Sequence, residues 1–131
     1  MLVIDDCEIN IQMLTIILDD SKIDSDCVFS GPEALEMIEQ RIVNVENGKG
    51  EMYKAILLDF SMPEMDGPTT SRRIREMLEQ SQMYQPYIIC CSAYDQDTFK
   101  EEAYAAGMDK FFTKPVNAKN LIERVKFSLK F

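Results

Sequence analysis

Short apolar runs and longer amphipathic stretches take turns along this chain. "MLVID" (1–5), "DCVFS" (26–30), "KAILLD" (54–59), "YIICCS" (87–92) and "KFFTKP" (110–115) are compact and mostly apolar, the pattern of buried strands. Between them lie segments with helical spacing. "CEINIQMLTIILDD" (7–20) places Ile9, Met13, Ile16 and Ile17 on one face. "SGPEALEMIEQRI" (30–42) opens with Ser30 and Glu33, a capping box, and has Pro32 in its first turn. "PTTSRRIREMLEQ" (68–80) aligns Ile74, Met77 and Leu78. "DTFKEEAYAAG" (97–107) ends on Gly107, a helix-stop residue. "AKNLIERVKFSLKF" (118–131) aligns Leu121, Ile122, Val125 and Leu129. "NVENGKGEMYK" (44–54), rich in Gly, Asn and charge, reads as a long loop.

Five strands alternating with five helices predict an α/β fold. Its core is a doubly wound, five-stranded parallel sheet within a single domain, 1–131. Continuous apolar strands fit a sheet covered on both faces. Right-handed crossovers put every strand's C-terminal end on one rim, where such folds bind ligands.

Composition narrows the function. The 131 residues, 46% of them hydrophobic, suffice for one core. A net charge of −9 disfavours direct nucleic-acid binding and anionic membranes. No apolar stretch is long enough to span a bilayer, and no leader peptide is visible, so a cytoplasmic setting is expected. The four cysteines, Cys7, Cys27, Cys90 and Cys91, lack zinc-ligand spacing and read as reduced, mostly buried thiols. There is no histidine, which removes Ser-His triads, a His base and a phosphohistidine of the chain's own.

The strand ends carry the remaining chemistry. Strand one ends at Asp5-Asp6, strand three at Asp59, strand four at Ser92 and strand five at Thr113-Lys114. Singly, each has a plainer role. A strand-end Asp or Ser is often a cap or turn former, and a lone Lys is usually solvated. Together they bring three carboxylates, a hydroxyl and an ammonium to one rim. Three close carboxylates repel, so either a pKa rises or a cation joins them. Mg²⁺ suits such oxygens. A carboxylate beside it can take up a phosphoryl group, whose oxygens then need the ammonium and the hydroxyl.

"IDD" (4–6), "LLD" with "MPEMDG" (57–67), "SA" (92–93), "AAGMDKFF" (105–112) and "TKP" (113–115) occur in order, at strand ends. In these pieces the chain resembles, end to end, the response-regulator receiver domains of two-component phosphorelays. The resemblance implies the flavodoxin-like receiver fold, with strand order 2-1-3-4-5. It makes Asp59 the phosphoacceptor, Asp6 a direct Mg²⁺ ligand and Asp5 one acting largely through water. Ser61 supplies a backbone carbonyl to the metal, for which Mn²⁺ can substitute. Ser92 and Lys114 bond the phosphoryl oxygens, and Phe111 is the aromatic switch. The Lys114–Pro115 bond is expected to be cis, and Pro63 and Gly67 to set the unusual dihedrals of the acceptor loop.

The partners implied are a histidine kinase or a histidine phosphotransfer protein. The face of helix four, strand five and helix five is expected to switch partners and to offer a homodimer contact. "MPEMDG…RRIRE" and "GMDKFFTKPV" are most similar to receivers of hybrid sensor histidine kinases, so the chain reads as a domain of a larger protein on the cytoplasmic side of any membrane. Three rivals stand further off. A haloacid-dehalogenase-type phosphatase wants an acid where Ser61 stands. A receiver fold used only for binding has no need of Asp5, Asp6, Asp59, Ser92 and Lys114 together. An FMN carrier wants a hydroxyl- and glycine-rich loop where "DDCEIN" lies.

Overall fold

The computed structural model describes residues 1–130. Phe131, included in the expected last helix, lies outside them. Strands and helices alternate: β1 (Leu2–Ile4), α1 (Glu8–Asp20), β2 (Asp26–Val28), α2 (Gly31–Glu46), β3 (Ala55–Asp59), α3 (Gly67–Gln80), β4 (Tyr87–Ser92), α4 (Asp97–Ala105), β5 (Lys110–Thr113) and α5 (Ala118–Leu129). All strand pairings are parallel, in the order β2-β1-β3-β4-β5. The sequence-based topology and strand order agree with this.

Side-chain alternation in the strands splits the core in two. Leu2, Ile4, Ile56, Leu58, Ile88 and Cys90 point to the side covered by α2, α3 and α4, where they meet Ile38, Ile74, Leu78 and Ala103. Val3, Leu57, Ile89 and Cys91 point to the other side and meet Ile11, Leu18, Leu121 and Val125 of α1 and α5. Each large apolar side chain fully buried this way contributes about 1.5–3 kcal/mol. β3, buried at every position, is the centre of both layers.

The helix starts follow local chemistry. Ser30 Oγ accepts the Glu33 amide at 3.2 Å, while the Glu33 carboxylate reaches back to the Phe29 amide at 2.7 Å. Asp66 caps α3 by accepting the Thr69 amide at 2.8 Å. Gly107, at φ 91°, ends α4 in a left-handed turn as its position suggested.

Two expectations are corrected. α2 continues to Glu46, so residues 44–46 are helix rather than loop. Buried Ile42 and half-buried Val45 prolong the inward stripe, and this packing overrides the polar composition. In α1 the inward residues are Ile11 and Leu18, with Leu14 partly buried. Ile9, Met13 and Ile16 instead face solvent, at 67%, 56% and 61% exposure.

A guanidinium fastens the lower edge of the β4–β5 half. Arg75 donates to the Gly107 carbonyl at 2.7 and 3.0 Å, to the Pro86 carbonyl at 2.7 Å and to Gln85 at 2.9 Å. It also pairs with Asp109 at 2.9 Å, whose carboxylate accepts the Ile88 amide at 2.8 Å. Arg75→Leu leaves several carbonyls and a carboxylate without their donor. A loss of about 2–4 kcal/mol in urea unfolding is expected. A change under about 0.5 kcal/mol would show that water replaces the clamp freely.

Candidate functional site

Register alone assembles the rim. Ile4 lies opposite Leu58, so Asp5 and Asp59 leave β1 and β3 side by side. Asp59 lies opposite Cys91, and Ser92 follows it. Ser92 lies opposite Thr113, which delivers Lys114 next along β5. The Lys114–Pro115 peptide is cis, as the sequence implied.

Lys114 Nζ stands 2.9 Å from Asp59 Oδ1 and 3.2 Å from Asp5 Oδ2, bridging two acids that are almost fully buried. Exposed Asp6 completes the group: one oxygen from each of Asp5, Asp6 and Asp59 lies within 4.8 Å of the others. Such a set of close, hard oxygens fits a small divalent cation, and exposed Asp6 leaves the cluster open to solvent. Ser61 lies two residues past Asp59 in the exposed part of the following loop.

The electrostatics follow from burial. Burial lifts the Asp59 carboxyl from 3.8 to about 6. The Lys114 hydrogen bond opposes the rise, and the Asp5 and Asp6 charges add to it. Burial pulls Lys114 down, but its bond to Asp59 and the nearby Asp5 charge outweigh that and hold it above 10.5. The Lys114 ammonium is thus held in place between the two acids. Cys91, beneath Lys114, and neighbouring Cys90 are driven well above the ordinary thiol range by burial, which makes them poor nucleophiles. Of the four thiols, Cys90 and Cys91 are buried, Cys27 is half-buried and Cys7 is exposed, fewer inside than expected.

The plainer roles coexist with the chemical ones. Asp5 Oδ1 accepts the Cys7 amide at 2.9 Å, which shapes the turn into α1. Ser92 Oγ accepts the Tyr94 amide at 3.0 Å. Both side chains are thus aimed by their own backbone. Phe111 is buried against the α2–α4 side of the core, below the Lys100 ammonium, 6.0 Å from its ring centre. Sequence reasoning missed Asn10, whose amide reaches Asp5 Oδ2 at 3.4 Å. A polar residue on a helix carries no periodic signal, so nothing in the pattern marked it.

The loop after Asp59 departs from expectation in one respect. Its left-handed residue is Glu64, at φ 68°. Gly67 is required for space, not for dihedral freedom. Its amide donates to the Phe60 carbonyl at 2.8 Å, and a Cβ there would collide with the Asp59 carbonyl oxygen.

Comparison with known proteins agrees with this geometry. The profile of the response regulator receiver domain matches residues 1–126. Hybrid signal transduction histidine kinase L of Dictyostelium discoideum is 38% identical over 128 residues, which cover 95% of this chain and 7% of that protein. The chemotaxis protein CheY of Bacillus subtilis is 31% identical over 102 residues, 78% of this chain and 81% of that one. Among solved structures, the receiver domain of the histidine kinase CKI1 from Arabidopsis thaliana, complexed with Mg²⁺ and BeF₃⁻, aligns with a TM-score of 0.82 at 31% identity. That alignment covers 96% of this chain and 88% of that one. Thus the chain spans only 7% of the hybrid kinase but most of the small chemotaxis protein. With a profile match across nearly its whole length and the acids, hydroxyl and lysine of the motif gathered on one rim, this chain belongs to the response regulator receiver domain family.

Proposed function

We propose that this receiver domain accepts a phosphoryl group on Asp59 from the phosphohistidine of a partner protein. The observation that carries this reading is the bridge of Lys114 between buried Asp59 and Asp5, with Ser92 on the adjoining strand. Asp5, Asp6, Asp59 and the Ser61 carbonyl are the groups assigned to Mg²⁺. When bound, the ion supplies charge neutralisation for the phosphoryl oxygens.

An Asp59 oxygen attacks phosphorus, the phosphorus–nitrogen bond of the donor breaks, and its imidazole leaves with the bonding electron pair. The negative charge moves outward from the carboxylate to the phosphoryl group, and Lys114, already 2.9 Å away, follows it. Ser92 gives up the Tyr94 amide and turns its hydroxyl to a phosphoryl oxygen. That movement pulls on the β4–α4 loop and biases α4, β5 and α5 between two arrangements. The donor is another protein or another part of a longer one, because this chain has no histidine. The hybrid histidine kinase among its relatives supports a histidine kinase in that role, and a similar receiver domain solved together with a histidine phosphotransfer protein supports such a protein.

Acetyl phosphate with Mg²⁺ should add one phosphoryl group by intact-mass spectrometry, and EDTA should prevent it. Lack of any Mg²⁺-dependent label would sink the proposal.

The exposed α1 stripe fits the donor's approach. Met13 of that stripe, with Leu14, Ile17 and Val116, lines a groove of about 390 Å³ that reaches Asp5 and Lys114, and exposed Ile9 and Ile16 share the helix face of Met13. An apolar surface beside the acceptor favours docking of a partner by burial of area. Ile9→Asp with Ile16→Asp should slow transfer from a phosphohistidine donor at least about tenfold, the cost of two lost apolar contacts. Labelling by acetyl phosphate should not change. Equal slowing with both donors would mean that the stripe supports the site rather than the partner.

A further inference from the structure

Asp5 is held by three donors, and one of them has no part in the chemistry described so far. Its carboxylate is almost sealed from water, at 2% exposure. The Cys7 amide lies 2.9 Å from Oδ1. Lys114 Nζ lies 3.2 Å and Asn10 Nδ2 lies 3.4 Å from Oδ2. Asp59, by contrast, has Lys114 as its one side-chain donor among the described residues.

Asn10 owes its place to the start of α1. Cys7 is the N-cap residue and its side chain makes no cap bond, so Asn10 is the third helical position. A side chain there ordinarily reaches back to the N-cap amide. Here that amide already donates to Asp5 Oδ1, and Asn10 reaches past it to the other oxygen of the same carboxylate. A carboxylate paired with an ammonium offers only acceptors, so the Asn10 side chain turns its NH₂ toward it. One bond leaves a carboxylate free to turn about its axis, whereas donors on opposite oxygens fix its plane. Asn10 is half-buried and lines the groove that Asp5 and Lys114 also line.

Phosphoryl acceptance asks different things of these donors. Lys114 follows the negative charge to the phosphoryl group, which leaves Asp5 Oδ2 without its ammonium. Asp59 passes its charge outward at that moment, but Asp5 keeps its own and stays buried. A buried carboxylate stripped of its donors is costly. We infer that Asn10 is a positioning residue that keeps Asp5 turned toward the ion site once Lys114 has moved away. The length of its bond fits an oxygen shared with an ammonium, which takes the shorter contact. A neutral amide suits the role. It fixes the carboxylate without cancelling the charge that a cation needs, whereas an acid at position 10 would add a fourth repelling carboxylate. Asn10's part in phosphoryl acceptance rests on the function proposed above; its hold on Asp5 does not.

Mg²⁺ alone, titrated into the isotope-labelled chain and followed by amide NMR, tests this without any phosphoryl donor. Removing a group that orients a metal ligand typically weakens metal binding about 10–100-fold. Asn10→Ala should therefore raise the Mg²⁺ Kd at least about tenfold, and Asn10→Gln, which keeps the NH₂, should stay within about threefold of the wild type. If Asn10→Ala does not fold, Asn10→Ser, too short to reach Asp5, carries the same expectation. Phosphorylation of Asn10→Ala by acetyl phosphate should need about tenfold more Mg²⁺, while its maximal rate at saturating Mg²⁺ stays within about threefold. A residue that merely starts α1 would alter urea stability in EDTA and leave the Mg²⁺ Kd alone. An unchanged Kd in Asn10→Ala therefore overturns the inference. So does Asn10→Gln binding as weakly as Asn10→Ala, a lower maximal rate at an unchanged Mg²⁺ requirement, or a wild type without saturable Mg²⁺ shifts. The two claims separate in the same samples. A phosphorylated wild type whose Mg²⁺ Kd is indifferent to Asn10 refutes only the positioning role. A wild type that takes no phosphoryl group, while Asn10→Ala still weakens Mg²⁺ binding, refutes only the phosphoacceptor.

Discussion

Asp59→Asn is expected to abolish phosphoryl acceptance while making the metal-free protein more stable by about 1–3 kcal/mol near neutral pH. Burial lifts the Asp59 carboxyl from 3.8 to about 6; the Lys114 hydrogen bond pulls it down, and the Asp5 and Asp6 charges push it further up. The folded protein therefore holds that proton more tightly than the unfolded chain does. The stabilisation this brings is complete below about pH 4 and disappears as pH rises through about 6. Above that window the buried charge costs stability, and an amide of the same shape removes the cost while keeping an acceptor for Lys114. Urea unfolding in EDTA at pH 4.5 and pH 7.5 checks this. The variant's advantage should be present at the higher pH and fade at the lower. Mg²⁺ should reverse the order by stabilising the wild type more than the variant. A variant less stable at pH 7.5 would mean that the Asp59–Lys114 pair outweighs the burial. A variant labelled as well as the wild type would remove Asp59 as the acceptor.

Gly67→Ala is expected to cost about 2–3 kcal/mol and to slow labelling of Asp59 by acetyl phosphate. The new Cβ would overlap the Asp59 carbonyl oxygen and lie 2.9 Å from Phe60 Cα. Both neighbours are backbone, so neither can swing away. The Gly67 amide, bonded to the Phe60 carbonyl, cannot retreat without breaking that bond. Relief must come from moving the acceptor strand's end. Gly48→Ala is the control. Nothing lies within 4 Å of a Cβ there, and the only cost is its φ of +75°, about 1 kcal/mol. Equal losses at both sites would mean that the close approach at Gly67 relaxes cheaply.

The candidate site was legible in the sequence because its residues sit where strands end. A run such as "ILLD" states both that a buried strand is present and that an acid leaves it at the rim. Parallel topology then collects those ends whatever the loops do. The sequence was silent on the supporting contacts. Asn10 touches Asp5, and Arg75 ties α3 to residues 107 and 109, through side chains that no periodicity marks. The role of Gly67 was misread for a related reason. A glycine in a loop suggests dihedral freedom, but here the need was for an empty volume that only the folded chain defines.

Sequence by itself determined the alternation of strands and helices, the sheet's two covered faces and the identity of the rim residues. These follow from local periodicity and from chain direction. Tertiary structure decided which faces were buried where the pattern allowed two. α1 has apolar residues at 9, 13 and 16 and again at 11, 14 and 18, so its helical period admits either stripe. Packing on Val3, Leu57 and α5 selected Ile11 and Leu18 and left the other stripe in water. It likewise extended α2 to Glu46. Only the fold could set Lys114 between Asp5 and Asp59, because electrostatic pairing depends on distance in space, and these residues are brought together across more than fifty positions of chain.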